Sequence, residues 1–344
     1  MAKIHPLRLP PVFRSRRPWL LLLAAALMAV GFSGCTFLRI DVFDGDRDPL
    51  RETVLEGEGR RKIALVTIQG PLRSASGKSG LRSQRNVVPE VVAQLKRAAE
   101  DSNVKAVVLK INSPGGTVTA SEQLYHEIKR FKTRTGLPLV AQFMDVAASG
   151  GYYAALPADT IIAHPTTITG SVGVIYLMPK IDALMDKVGV EMEVIKSGDQ
   201  KDMGSVFRST APREAQLLQE MISQLAQRFV SAMALHRPQT EPSRAAIATA
   251  RIFLGSEALE LGLVDSLGFL TDGIAQARTM AGLPGNAKVV AYQRRPPADG
   301  TLYHTPGTRQ WTDALASANP LARLGLEGVS AGFYYLWLPG TLNQ

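Results

Sequence analysis

Val104-Lys105-Ala106-Val107-Val108-Leu109-Lys110-Ile111 runs without a break into Asn112-Ser113-Pro114-Gly115-Gly116. An apolar run of that length, stopped by proline and glycine, reads as a strand inside a sheet. Behind the turn, Ala120, Leu124, Ile128 and Phe131 line one side of a helix, and Pro138 to Met144 is strand-like again. Ahead of it, Ile63 to Ile68 is a strand closed by Gly70-Pro71, and a polar loop covers Arg73 to Asn86. Val88, Val91, Val92 and Leu95 then fall at helical spacing. Strand and helix alternate through short turns, which predicts an α/β fold around a largely parallel sheet.

The pattern continues with strands at Asp159 to Ala163 and Glu191 to Ile195. A long helix is expected from Pro212 to about Leu235, with Leu218, Met221, Leu225 and Phe229 on one side. Shorter helices at Ser256 to Leu261 and Thr271 to Ala281 each stop at a glycine. After Pro284 the pattern fades into a proline- and glycine-rich tail that ends in the bulky cluster Phe333 to Leu338. So many apolar side chains are expected to be buried, on the body, a neighbouring copy or a membrane surface.

The chain of 344 residues has a formal charge of +9, which suggests nucleic acid until the charge is located. Lys3, Arg8, Arg14, Arg16 and Arg17 precede the first apolar stretch with no acid among them, so residues 35–344 carry 34 basic and 30 acidic residues. No basic stripe with interleaved aromatics remains, and nucleic acid is excluded as a partner. Arg14 to Arg17, the apolar stretch Trp19 to Phe32 and Ser33-Gly34-Cys35 have the order of a targeting segment. Cys35 is the only cysteine, so no internal disulfide can form. It stands where a bacterial lipobox places its lipidated cysteine, although Phe32 occupies a position usually aliphatic there. Residues 1–34 are therefore read as a lipoprotein-type signal peptide or an uncleaved signal anchor, with the body held in the cell envelope outside the cytoplasm. Residues 35–61 read as a tether, 62–285 as one catalytic domain and 286–344 as an extension of open role.

Two turns could carry chemistry. The glycines of Asn112 to Gly116 let backbone N–H groups approach a ligand, as an oxyanion hole requires, although the same residues also make a plain strand-to-helix turn. Ala147-Ala148-Ser149-Gly150-Gly151-Tyr152-Tyr153 follows a strand and opens a short helix. Ser149 there is either an N-cap or a nucleophile. Two glycines directly after it are costly in a helix, and a cap does not call for them. A serine nucleophile needs a base. His164 is the one histidine placed to compete for that role, and no acidic orienter is visible for it. Lys201, in Lys196-Ser197-Gly198-Asp199-Gln200-Lys201-Asp202, can serve as base if its amine is held neutral. Ser171, in Thr169-Gly170-Ser171-Val172-Gly173, could accept a hydrogen bond from that amine. No metal-binding or phosphate-cradling pattern is present, and no cofactor is expected.

These motifs, with Leu261 to Gly268 (Leu-Gly-Leu-Val-Asp-Ser-Leu-Gly), occur in the order found in the S49 serine peptidases, and the chain resembles the short form of the signal peptide peptidases of the SppA type over about residues 62–285. The resemblance implies a Clp/crotonase-like fold of repeated β-β-α and βαβ units. It makes Ser149 the nucleophile, Lys201 the general base, Ser171 the lysine's support, and the N–H groups of Gly116 and Gly150 the oxyanion hole. It also implies peptide substrates such as signal-peptide remnants, and a ring-shaped homo-oligomer in which serine and lysine come from adjacent protomers. Val206 before Phe207-Arg208 departs from the proline common in that family, and the tail beyond Pro284 has no counterpart in the resemblance. Two readings from other classes stand beside it. One is a catalytically idle membrane scaffold that binds peptides or partners, and the other a crotonase-type acyl-CoA enzyme, which an envelope location disfavours.

Overall fold

The computed structural model describes residues 48–73, 78–79, 82–83, 86–294, 300–303 and 332–337. The targeting segment and Cys35 lie outside these residues. In chain order the elements are β1 (Arg51–Glu56), β2 (Lys62–Gln69), β3 (Lys78–Ser79), β4 (Arg82–Ser83), α1 (Val87–Glu100), β5 (Val104–Ser113), β6 (Gly115–Thr117) and α2 (Val118–Thr135). They continue with β7 (Leu139–Ala148), α3 (Gly150–Ala155), β8 (Thr160–Ala163), β9 (Ile168–Gly170), β10 (Ile175–Leu177), α4 (Asp182–Val188) and α5 (Pro212–His236). The last are α6 (Glu241–Ala248), β11 (Ile252–Leu254), α7 (Gly255–Glu260), β12 (Ser266–Leu267), α8 (Leu270–Met280), β13 (Lys288–Gln293) and β14 (Gly332–Leu336).

The main sheet has the order β1-β13-β2-β5-β7-β8-β12, with β9 beside the end of β7 and β11 beside β9. From β13 to β12 every neighbouring pair is parallel, as the strand-helix alternation predicts, while β1 and β11 add antiparallel edges. Such a sheet is covered on both faces, which explains why β2 and β5 are apolar without alternation. Ala64, Val66, Ile68, Leu109 and Ile111 pack with α1 and α2, through Val91, Leu95, Leu124 and Ile128. Ile63, Leu65, Ala106 and Val108 turn the other way, onto Leu270, Ile274 and Ala277 of α8. This mixed α/β sheet is the Clp/crotonase-like fold expected from the resemblance.

Three differences from the sequence reading concern what covers a segment. The sheet takes in Arg51–Glu56, placed above in the tether, because Thr53 and Leu55 are half-buried while the strand pairs with β13. It also takes in Lys288–Gln293, beyond Pro284, whose Val289, Val290 and Ala291 are buried. Glu191 to Ile195, expected as a strand, joins no sheet, and Ile195 is 94% exposed.

A second, small sheet has the order β10-β14-β6. Its middle strand comes from the C-terminal cluster, so Phe333 to Leu336 dock on the body beside the turn at Gly115-Gly116.

Candidate active site

The strand β5 ends in Asn112 and Ser113, and both side chains fix the turn that follows. Asn112 donates to Asp145 (2.8 Å) and accepts from the Val146 N–H (3.2 Å), which ties the turn to β7. The buried Ser113 hydroxyl donates to the Gly70 carbonyl (2.7 Å) and accepts from the Gly115 N–H (3.2 Å), which ties it to the end of β2. Leu72 crosses the turn, donating to Gly115 O (2.8 Å) and accepting from the Thr117 N–H (2.9 Å). Gly115 has a φ of +93°, and a β-carbon on it would lie 2.0 Å from the Tyr335 carbonyl oxygen and 2.6 Å from the Gly150 nitrogen. On Gly116 a β-carbon would lie 1.9 Å from the Leu72 carbonyl oxygen. Both glycines are required by close backbone approach, and that approach sets the first turn against the start of α3.

Ser149 joins β7 to α3 with φ +51° and ψ −118°. For a residue with a β-carbon this conformation costs about 1–3 kcal/mol, and it is sustained only where the surroundings hold it. Here the Ser149 N–H donates to Gly170 O (2.8 Å), and its carbonyl accepts from the Tyr153 N–H (2.9 Å). Ser149 occupies the N-cap position of α3, but its side chain makes no capping bond. Its Oγ is buried and has no hydrogen-bond partner among the described residues, with Ser149 only 1% exposed. A buried hydroxyl left unpaired is unfavourable and calls for a specific explanation.

The tyrosines of the same motif hold α3 in place. Tyr152 donates to Leu263 O (2.8 Å), and Tyr153 donates to Glu122 (2.8 Å). Arg228 holds the Glu122 carboxyl below its ordinary range, and the bond from Tyr153 adds to this. Burial, followed by Glu122, pushes the Tyr153 hydroxyl well up.

Ser171 lies beside this elbow, one residue after the Gly170 carbonyl that accepts from Ser149. It too has positive φ, +50°, and its N–H donates to Arg251 O (2.8 Å). The structure therefore brings together Ser149, Gly150, Gly116 and Ser171. It does not join Lys201 to Ser149 within one chain. Lys201 is exposed on the loop after α4, in a turn where its N–H donates to Gly198 O (3.0 Å). The rival base, His164, contacts Thr166 (2.8 Å) and stands edge-on to Phe269, with ring centres 4.6 Å apart. Among the described residues, no three His, Cys, Asp or Glu side chains are grouped to hold a metal ion.

Sequence reasoning missed the role of β14. Tyr335 pairs with Gly116, and Leu336 with Gly115, in antiparallel register. The Trp337 N–H donates to Pro114 O (2.9 Å), so two residues along the ladder Tyr335 and Gly116 form a doubly hydrogen-bonded pair. The Gly116 N–H thus faces the Tyr335 carbonyl. The Tyr335 ring is buried against Phe229 (4.8 Å between centres) and Tyr153 (5.4 Å), and its hydroxyl donates to Leu225 O (2.8 Å). The apolar cluster announced burial, but nothing in its residues names the strand it pairs with.

Known proteins resemble this chain over much of its length. The peptidase family S49 description matches residues 132–284, and that of the Clp proteases matches residues 79–172. A protein of Enterococcus faecium named signal peptide peptidase SppA is 33% identical over 300 residues, 86% of this chain and 86% of its own length. A Synechocystis protein named as a protease is 38% identical over 224 residues, 65% of this chain and 76% of its own. Protease 4 of Salmonella typhi is 35% identical over 222 residues, 64% of this chain and 35% of its own.

Proposed function

The chain belongs to peptidase family S49 and is a protease, and on that premise we propose a membrane-tethered serine endopeptidase that degrades cleaved signal peptides and other peptides released at the membrane. Ser149 Oγ attacks the scissile carbonyl carbon while the neutral amine of Lys201 takes the hydroxyl proton. The carbonyl oxygen gains negative charge between the N–H groups of Gly116 and Gly150. Collapse breaks the C–N bond, Lys201 returns its proton to the leaving amine, and water then hydrolyses the acyl-enzyme by the same route.

The observation that carries this reading is Ser149 itself: buried, strained and unpartnered, beside two glycine turns whose backbones nearly touch. The strand β14 indicates how a peptide would lie, extended and antiparallel to β6, with one carbonyl turned to the Gly116 N–H. A substrate has to take the place of β14.

An exposed Lys201 and an unpartnered Ser149 favour a dyad completed between two copies in a ring-shaped homo-oligomer. Around Lys201, residues 181–207 expose Leu184, Val188, Val190, Met192 and Ile195, an apolar surface suited to cover by a neighbouring copy. Membrane attachment is assigned to residues 1–34 from their targeting-segment order; among the described residues no helix is long and apolar enough to cross a membrane. An envelope location with the body outside the cytoplasm, and lipidation of Cys35, follow from the same segment.

Hydrolysis of a signal-peptide substrate by single variants tests the mechanism. Ser149→Ala and Lys201→Ala should each abolish it while the body stays folded, whereas His164→Ala keeps most of it. Full activity in the Lys201 variant would exclude the dyad, and inactivity of all peptides with the wild type would favour the idle scaffold.

A further inference from the structure

The turn that presents Lys201 is closed by a chain of alternating charges. Lys196 Nζ donates to Asp199 O (2.9 Å) and to Asp202 Oδ1 (2.7 Å), so that one side chain spans the turn on which Lys201 sits. Arg208 Nε donates to Asp202 Oδ2 (2.9 Å), and a second arm of its guanidinium reaches the Asp202 carbonyl (3.3 Å). The same guanidinium grips the carboxylate of Glu214 in the first turn of α5, where Glu214 also accepts from the Ala211 N–H (3.1 Å). Glu214 is buried, which gives the chain a fixed end. Around it, Lys180 donates to Ser205 O and Arg208 O, Ser209 donates to Asp182 (3.1 Å), and a β-carbon on Gly204 would lie 2.6 Å from the Tyr176 hydroxyl.

A lysine that works as a base must be neutral at rest, and a free carboxylate on the next residue would favour its charged form. The carboxylate of Asp202 is not free. Arg208, and then Lys196, hold it well below the ordinary carboxylate range. We propose that Lys196, Asp202 and Arg208 are positioning residues for Lys201: their ion pairs fix the turn that offers the amine to a nucleophile and cancel the negative charge beside it. This rests on Lys201 being the base.

The test is the pH dependence of kcat/KM of the full chain on a fluorogenic peptide, whose acid limb reports the base. Lys196→Met leaves the Asp202 charge partly uncancelled and should move the acid limb up by about half a pH unit. Asp202→Asn leaves two cations and should move it down by a similar amount. A purely structural clamp would lower kcat and leave the limb in place, or move both variants the same way; either result overturns the proposal. Should Asp202→Asn fail to fold, the upward shift in Lys196→Met decides alone, because Lys196 lies at the surface. A stationary limb with Lys201→Ala inactive defeats only this inference, whereas an active Lys201→Ala defeats the dyad and the inference together.

Discussion

Tyr335 and Gly116 face each other across antiparallel strands, so the chain's own tail occupies the backbone edge beside the serine elbow. A peptide needing that edge competes with β14, and its apparent affinity falls with the fraction of chains in which the edge is free. A chain ending at Ala331 should therefore cleave a short peptide with kcat/KM raised about tenfold. A synthetic peptide of residues 332–338 should inhibit this truncated chain competitively. An unchanged rate in a folded, assembled truncation, with no inhibition by the peptide, would mean that β14 does not guard the cleft.

Gly150 begins α3 next to Ser149, and a β-carbon there would lie 2.2 Å from Ser121 Oγ. Gly150→Ala should cut kcat by about 100-fold or more by shifting one oxyanion donor. Ser121→Ala in the same chain removes the nearest obstacle and should restore part of the rate. No restoration, with unfolding temperatures matched, would show that room at Gly150 is not what the catalytic turn requires.

On the far side of β5, the buried Lys110 donates to Leu302 O (3.0 Å) and burial lowers its pKa to about 8, against the attraction of Asp145. Below that pH the fold must bury an ammonium. Between about pH 8 and the unfolded value of 10.5 the unfolded chain binds more protons, so stability rises with pH there. Denaturation at pH 7 and pH 9.5 should show a gain on the order of 2 kcal/mol from this residue. Lys110→Met should lose that gain; an equal rise in the variant would assign it to other groups.

Much of the fold was legible because its strands are buried on both faces. β2, β5 and β7 are predominantly apolar, and the stripe Ala120, Leu124, Ile128 and Phe131 of α2 is buried at all four positions. The serine elbow was legible for the same kind of reason, since two glycines after Ser149 answer a close approach that a simple cap lacks. Pairings between distant segments were not. β1 shows only Thr53 and Leu55 to its neighbours, and the partner of Tyr335 lies more than 200 residues away. Alternation in Glu191 to Ile195 suits a strand, yet Val190, Met192 and Ile195 are exposed in a single chain, because period alone does not say which surface covers a segment.

If that covering surface is a second copy, two inactive variants should make active sites. Ser149→Ala and Lys201→Ala proteins, mixed under conditions that exchange subunits, should recover part of the wild-type rate, since some boundaries would join an intact serine to an intact lysine. A fully exchanged mixture that stays inactive, while the wild type survives the same treatment, would place the dyad within one chain.

The central claim is that Ser149 is a nucleophile, and covalent labelling tests it most directly. A serine-reactive fluorophosphonate, followed by peptide mass mapping of the assembled protein, should add one label per chain at Ser149. Labelling should disappear in Ser149→Ala and fall sharply in Lys201→Ala. A label on any other serine, or equal labelling of the Ser149→Ala chain, would contradict the account.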